Sequence, residues 1–318
     1  MIPSFKKVVY PLIDAMLRQY GAWHSRTYDV SDTILVASTG RSGSTFVAQI
    51  LSSLPGYHLI YEPFNLGSNP IARENGFNWN TYMTPGTRDP DKEEYLARIL
   101  DGRELSTRTL NRHTIEPLTL LQLQGYVVKT INSMLMLRWI CDCFPTKAVW
   151  LLRHPCAVVA SQLRAGGWSW HEDKEVISIP DRLMKEYPHM QKVYDSLSSS
   201  EENLAFIWAM HNFLPFKKGG DFTTTTYEKI VSDRESEVDR LFAALNHPTP
   251  DAAIKQLSQE SASGSSFEFE RKDLLTDWKQ RLSDSQIERI LNVVHRMGVT
   301  CYTEAPHPNY NSLSTPAA

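Results

Sequence analysis

The stretch Ile34–Phe64, ILVASTGRSGSTFVAQILSSLPGYHLIYEPF, decides the fold, because it passes from an apolar run through a Gly/Ser/Thr turn into a helical pattern. Residues 33–38 form a short β-branched run that ends in turn residues, which predicts a buried strand. A helix follows, because the next apolar residues share one helical stripe before "PGY" ends the pattern. These stripe residues are Phe46, Val47, Ile50, Leu51 and Leu54. Residues 58–62 then predict a second strand.

The same alternation of strands and helices continues along the chain. YVVKTI at 126–131 and KAVWLLR at 147–153 predict two more buried strands, separated by the helical run MLMLRWICDCF, and DFTTTTYE predicts another. The C-terminal half is more helical, with its clearest patterns at 236–246 and 283–298. Such alternation predicts an α/β fold with a central parallel sheet flanked by helices on both faces.

The turn TGRSGST, at 39–45, has the composition of an anion site. Backbone N–H groups at such a strand-to-helix turn point into one concavity, and the helix dipole adds positive potential there. Arg41 adds a forked donor, and the hydroxyls of Ser44 and Thr45 can donate to phosphate oxygens. A capped turn without a ligand is the alternative interpretation. The two glycines lie too close together for a Walker A loop and no Gly-Lys-Ser/Thr follows, which disfavours a nucleoside-triphosphate kinase.

A second anion-binding candidate lies at WLLRHPCAVVASQLRAGG. Arg153 ends a predicted strand, and Pro155 suits the first turn of the helix that follows. A solvated surface arginine at a strand end is the alternative interpretation. Two such strand-end sites in one α/β domain predict a ligand with two separated anionic groups, bound where ligands of open α/β sheets usually lie.

Composition limits the class of partner. The 318 residues carry a formal net charge of −3, which argues against a general nucleic-acid binder. Four cysteines without zinc-site spacing favour a reducing compartment, so we expect a cytoplasmic location. No stretch approaches the ~20 apolar residues that span a bilayer, and the N-terminus lacks the apolar region of a signal peptide. We therefore expect a soluble chain without a membrane segment.

The two candidate elements together resemble those of a known family. TGRSGSTFVAQIL followed by YEPF resembles the 5′-phosphosulfate loop of sulfotransferases that use 3′-phosphoadenosine 5′-phosphosulfate (PAPS), especially the carbohydrate-type members. WLLRHPCAVVASQL resembles their 3′-phosphate element, an arginine on a strand end and a serine in the next helix. The resemblance, from about residue 33 to 298, implies a P-loop-like nucleotide-binding sulfotransferase fold with PAPS as co-substrate. The nucleotide-binding residues that it implies are Arg41, Ser42, Gly43, Ser44, Thr45, Phe46, Arg153 and Ser161.

The resemblance also implies a reaction, the transfer of a sulfuryl group to an acceptor hydroxyl or amine. Glu62, in YEPF, is implied to be the base that takes the acceptor's proton, with His58 and His113 as alternatives. Lys129, at another strand end, would offset charge on the sulfuryl group, unless it is an ordinary strand-end lysine. Arg41 is expected to face the transferring end. No metal is expected, because the arginines and the loop amides supply the positive charge.

The acceptor is less well defined by the sequence. Residues 65–117, which include Trp79, Tyr82 and Arg88, form a candidate acceptor-binding insertion, and 166–175 is another candidate segment. We expect one sulfotransferase domain over residues 1–303 and a disordered tail over 304–318. The expected partner is a carbohydrate or small-molecule acceptor. A nucleotide-dependent small-molecule kinase and a non-catalytic nucleotide-sensing module are the alternative functions.

Overall fold

Five strands form one sheet in the computed structural model, which describes residues 3–110, 122–165, 169–260 and 274–314. The strands are β1 (Ile34–Ser38), β2 (Tyr57–Tyr61), β3 (Gly125–Thr130), β4 (Lys147–Leu152) and β5 (Thr223–Thr226). Their order across the sheet is β2-β3-β1-β4-β5, and every neighbouring pair is parallel. The predicted α/β class and parallel sheet are confirmed, and the first four strands lie within one residue of their predicted bounds.

Helices connect and cover the strands. The helices before β4 are α1 (Pro3–His24), α2 (Ser44–Leu51), α3 (Pro70–Glu74), α4 (Pro90–Leu100) and α5 (Leu137–Cys143). Those between β4 and β5 are α6 (Pro155–Arg164), α7 (Asp181–Glu186), α8 (Pro188–Asp195) and α9 (Ser200–Lys218). Those after β5 are α10 (Tyr227–Ser232), α11 (Arg234–Ala244), α12 (Asp251–Glu260), α13 (Asp277–Arg281), α14 (Asp284–Arg296) and α15 (Tyr310–Ser314). Short 3₁₀ turns lie at Val30–Asp32, Met134–Met136, Ser169–Glu172 and Lys174–Val176.

The sheet has an apolar cluster on each face, because successive side chains of a strand point to opposite sides. In the fully buried central strand β1, Leu35 and Ala37 belong to one cluster, and Ile34 and Val36 to the other. Residues of α6, α9 and α14 complete the first cluster, while residues of α2, α11 and α12 complete the second. The fold therefore has three layers with the sheet in the middle. Because every neighbouring pair of strands is parallel, the carboxyl ends of all five strands lie at the same edge of the sheet.

Helix α14 shows how closely a local pattern sets an element. Ser283 accepts a hydrogen bond from the backbone N–H of Gln286, whose side chain accepts one from the Ser283 N–H. This capping box starts the helix where the sequence predicts it. Gly298, with φ 91°, follows the helix end and adopts the left-handed backbone that glycine tolerates best.

Beyond residue 303, the described chain runs through 304–314. The backbone N–H of Asn309 donates to the Cys301 carbonyl at 2.7 Å, and α15 follows. The domain boundary at 303 and the disordered tail stay predictions. Within the described ranges, no helix combines the length and the apolar content that a membrane crossing needs.

Candidate functional site

The two predicted anion-binding elements meet at the carboxyl edge of the sheet. Strands β1 and β4 are neighbours, with Ser38 paired to Leu151, so the turn that follows β1 lies beside Arg153 at the end of β4. The chain leaves β1 towards β2 on one side, whereas β4 lies on the other side of β1. Open α/β sheets bind ligands at such a switch in strand order.

The turn after β1 has the backbone of an anion-binding loop. Arg41 has φ 72° and Gly43 has φ 90°, so two of its residues adopt left-handed conformations. A side chain at Gly43 would place its Cβ 2.7 Å from Cδ2 of Tyr227, so glycine is needed there. Thr39 and Ser42 join their hydroxyls at 2.7 Å across the turn. Gly43 has no side chain to cap α2, which leaves the first N–H groups of that helix for an anion.

Two arginines and a serine from the predicted nucleotide site are in contact. The Arg153 Nη1 donates to the Arg41 carbonyl at 3.0 Å, and the Arg41 Nε donates to Ser161 Oγ at 3.0 Å. The Arg153 guanidinium carbon lies 4.1 Å from the centroid of the Tyr227 ring. In the described part of the chain, the buried Arg153 Nε has no hydrogen-bond partner. Arg41 thus lies against the 3′-phosphate element, whereas the sequence places it at the transferring end. Within the described residues neither guanidinium forms an ion pair, so positive charge is concentrated at this corner.

Buried His154 and Glu228 stabilise the backbone that follows Arg153. The backbone N–H of His154 donates to Glu228 Oε1 at 2.7 Å, and the Tyr302 hydroxyl donates to Glu228 Oε2 at 3.0 Å. His154 caps α6 by accepting from the Cys156 N–H and stacks on Trp278 with a centroid distance of 4.4 Å. Burial lowers the pKa of His154 to about 4 and raises the pKa of Glu228. The imidazole is therefore neutral at pH 7 and acts as a structural cap.

Glu62 is engaged on both carboxylate oxygens. The Lys129 ammonium donates to Oε1, and the backbone N–H of Ile131 donates to Oε2 at 3.1 Å. Glu62 and Lys129 are both buried, and the Lys129 Nζ also lies 4.5 Å from the centroid of the Tyr61 ring. Glu62 has φ 48°, and its backbone N–H donates to the Lys129 carbonyl at 2.8 Å. The predicted base and the predicted sulfuryl-binding cation neutralise each other in this arrangement.

Of the two alternative histidine bases, His58 does not lie at this edge. His58 is the second residue of β2 and pairs with Tyr126, so it lies roughly 10 Å from the carboxyl end of the strand at ~3.3 Å per residue. His113 lies outside the described residues.

A cavity of about 470 Å³ opens beside the turn after β1. Thr39 and Gly40 form one wall, and Ile131 and Asn132, which follow β3, form another. The remaining lining residues come from five stretches of the chain, and they are Asn65, Trp79, Asn80, Gln162, Val176, Ile177, Ser178, Ile207, Trp208 and His211. The predicted insertion thus contributes Asn65, Trp79 and Asn80. Of its other predicted aromatic and basic residues, Tyr82 donates to Glu186 and Arg88 pairs with Glu93.

His211 is a titratable side chain of this cavity that the sequence does not single out. Asn80 donates through Nδ2 to the Ser178 carbonyl at 2.6 Å, so its Oδ1 faces His211 Nε2 at 2.7 Å. An amide oxygen only accepts, so His211 Nε2 carries the proton and Nδ1 has a free lone pair. Burial lowers the pKa of His211 to about 4, which keeps the ring neutral at pH 7. The sequence signal is weak, because a histidine in the apolar helix α9 suggests core packing.

Trp208 and Gln162 connect the cavity with the two predicted anion-binding elements. The Trp208 indole lines the cavity and donates through Nε1 to the Arg153 carbonyl at 3.1 Å. Gln162 also lines the cavity and donates through Nε2 to the Gly40 carbonyl at 3.1 Å. In the part of the chain that the structure describes, no group of three or more His, Cys, Asp or Glu side chains could hold a metal ion.

The chain is similar to one sequence family and to several solved structures. Residues 33–251, well over half of the chain, match the profile of the family described as "Sulfotransferase family". A sulfotransferase domain from a Synechococcus olefin synthase has a TM-score of 0.45 and 16% identity, covering 85% of this chain and 95% of that one. A mouse sulfotransferase complexed with PAP has a TM-score of 0.41 and 12% identity, covering 88% and 89%.

A sulfotransferase from Mycobacterium avium has a TM-score of 0.45 and 12% identity, covering 89% of this chain and 79% of that chain. No curated protein sequence matches the chain significantly. The family assignment rests on the match over residues 33–251.

Proposed function

The chain belongs to the sulfotransferase family, and we propose that it transfers a sulfuryl group from PAPS to a hydroxyl or amine of a small-molecule or carbohydrate acceptor. The observation that carries this proposal is the buried Arg153 Nε, which has no hydrogen-bond partner beside the turn 39–43. A buried guanidinium N–H without a partner is costly, and a bound anion would satisfy it with a charge-assisted hydrogen bond.

On the donor side, we assign Arg153 and Ser161 to the 3′-phosphate. The backbone N–H groups of residues 43–46 and the hydroxyls of Ser44 and Thr45 bind the 5′-phosphosulfate, while the Ser42 N–H donates to the Thr39 carbonyl at 3.3 Å and shapes the turn. Since the Arg41 Nε donates to Ser161, we assign Arg41 to the 3′-phosphate as well. Fixed N–H dipoles and cations stabilise the charge that develops on the departing phosphate, because they need no reorganisation during the reaction.

On the acceptor side, we propose that His211 takes the proton of the acceptor. The acceptor oxygen forms a bond to sulfur while the bond from sulfur to the phosphate oxygen breaks, and the proton moves to His211 Nδ1. Asn80 is a positioning residue, because its contact with Nε2 keeps that lone pair available. Glu62, whose two oxygens already have partners, holds Lys129 and the Ile131 N–H in place.

The cavity supports a small acceptor with an apolar part. Its volume of about 470 Å³ falls within the range of roughly 300–1,000 Å³ that is common for small-molecule sites. Indole rings of Trp79 and Trp208 lie among its walls together with the amides of Asn65 and Asn132. Indoles stack on sugars and on aromatic rings alike, while the amides hydrogen-bond hydroxyls.

The test combines product formation with nucleotide binding. Incubation with PAPS and a panel of hydroxylated acceptors should yield a sulfated product by mass spectrometry. The product nucleotide 3′-phosphoadenosine 5′-phosphate (PAP) should stabilise the fold against unfolding by ~2.7 kcal/mol at a hundredfold excess over its dissociation constant. ATP with magnesium should stabilise it much less.

Each alternative function has its own outcome in this test. Equal protection by ATP and magnesium would support the kinase. Protection by PAP without a sulfated product from any acceptor would support a nucleotide-sensing module.

A further inference from the structure

A second cavity, of about 340 Å³, lies next to the acceptor cavity along α9 and along the segment that follows Asn80. Leu214 and Lys218 line it from α9, and residues 82–85 line it from the segment. The described lining residues of the two cavities do not overlap. The second cavity is therefore lined by residues other than those assigned above to the donor and acceptor sites.

Arg138 lines this cavity with an unsatisfied guanidinium. Among the described residues, its buried Nε has no hydrogen-bond partner and the side chain has no ion-pair partner. Three other half-buried arginines have carboxylate partners, which are Glu104 for Arg98, Asp101 for Arg103 and Glu201 for Arg289. Among the described arginines, Arg153 is the other one with a buried Nε that lacks a partner.

Glu186, the carboxylate in the lining of the cavity, forms no ion pair with Arg138. The Tyr82 hydroxyl donates to Glu186 Oε2 at 2.6 Å, and hydrogen bonding to Glu186 together with burial raises the pKa of Tyr187 to about 12. Glu186 is thus engaged with two tyrosines. Lys218, exposed in the last turn of α9, adds a second cation to the lining. The cavity keeps an excess of positive charge.

Apolar side chains form another part of the lining. Met83, Met134, Leu135 and Leu214 line the cavity together with Arg138. These four side chains belong to the apolar core, so the cavity reaches the edge of that core. The lining therefore suits a ligand with one anionic end and one apolar end.

We propose that this cavity binds a small organic anion, in which a carboxylate or phosphate group is attached to an apolar body. The forked N–H groups of Arg138 hold the anionic oxygens, and the methionine and leucine side chains contact the body. Because this site shares no described lining residue with the acceptor cavity, the proposal does not depend on the sulfuryl transfer reaction.

Titration calorimetry of the full chain with octanoate tests this site, with PAP present at saturation so that Arg153 is occupied. We expect one saturable site. Arg138→Met keeps an apolar side chain of similar length but removes the charge, and it should weaken octanoate binding roughly 10- to 100-fold. Arg88→Met, which removes an exposed arginine paired with Glu93, is the matched control and should bind octanoate like the wild type.

Two further probes identify the chemistry that is recognised. Octanol has the same apolar body without the charge and should bind more weakly than octanoate. Octyl phosphate, compared with octanoate, shows which anionic group the site prefers. Arg138→Lys keeps the charge without the fork, so its affinity should lie between those of the wild type and Arg138→Met.

Several results would overturn the proposal. These are the absence of saturable octanoate binding, wild-type affinity in Arg138→Met, or equal affinity for octanol and octanoate. Loss of octanoate binding in Arg153→Met but not in Arg138→Met would place the anion in the donor site instead. If Arg138→Met does not fold, wild-type affinity in Arg138→Lys would likewise contradict a role for the guanidinium fork.

Discussion

The donor side and the acceptor side of the candidate site are built in different ways. The donor side consists of two strand-to-helix connections, at 39–45 and 153–161, each contained in one short stretch of sequence. The acceptor cavity draws its walls from Asn65, Trp79–Asn80, Ile131–Asn132, Val176–Ser178 and α9. The difference teaches that a turn with the composition of a phosphate site can be predicted locally, whereas the shape of a cavity depends on long-range packing.

The two sides also differ in their charges. On the donor side, the Arg153 Nε has no hydrogen-bond partner among the described residues, and Arg41 contacts a neutral serine. At the end of β3, Lys129 is paired with Glu62 in a buried ion pair. Positive potential is therefore concentrated between β1 and β4, which is where the polyanionic donor is proposed to bind.

The largest expected effect is on the acceptor side, in His211→Gln. Glutamine can still donate to Asn80 Oδ1 but cannot act as a base, so single-turnover sulfuryl transfer should fall ~10²–10⁴-fold. The affinity for PAP, measured by calorimetry, should not change, because His211 lies in the acceptor cavity. His189→Gln is a matched control on α8 and should retain full turnover.

The same proposal predicts how transfer depends on pH. Because burial lowers the pKa of His211 to about 4, the ring can accept a proton above that pH and loses this ability as the pH falls through it. Transfer should therefore be lost at the acid end of the range.

Wild-type turnover in His211→Gln would remove this histidine from the mechanism.

The next largest effect concerns the buried ion pair between Glu62 and Lys129. Glu62→Gln leaves the Lys129 ammonium buried without its carboxylate, which should lower the free energy of unfolding by about 3–5 kcal/mol. Combining it with Lys129→Met should restore much of that loss, since no buried charge then remains. Urea denaturation of the three variants measures both changes.

This experiment also separates the two candidate bases. A Glu62→Gln variant that keeps wild-type stability but loses transfer by ~10²–10⁴-fold would identify Glu62 as the base. Assignment of the proton to His211 would then be wrong.

The smallest expected effects lie on the donor side. Arg153→Met should weaken PAP binding roughly 10- to 100-fold, because a buried charge-assisted hydrogen bond is lost. Arg41 is exposed, so Arg41→Met should have a smaller effect on affinity. Both variants should keep wild-type turnover at saturating donor, since the 3′-phosphate takes no part in bond breaking.

Arg88→Met is the control for this pair, because Arg88 is exposed and paired with Glu93. Reduced turnover of Arg41→Met at saturating donor would return Arg41 to the transferring end, as the sequence predicts.

Much of the fold follows from the sequence. The first four strands lie within one residue of their predicted bounds, because buried β-branched runs bounded by turn residues carry a strong local signal. The turn at 39–45 and the strand end at Arg153 were also visible, since glycine, serine and arginine at strand ends specify local backbone and charge. Their roles in nucleotide binding stay predictions.

Only the tertiary structure decided which side chains meet across the site. His211 reaches Asn80, and Glu62 reaches Lys129, across separations of 131 and 67 residues. The tertiary structure also shows that His58 lies near the start of β2, away from the carboxyl edge of the sheet, and that Arg41 donates to Ser161. Hydrophobic patterns set helices and strands through short-range periodicity, but the partner of a buried polar group depends on how distant elements pack, which no local pattern encodes.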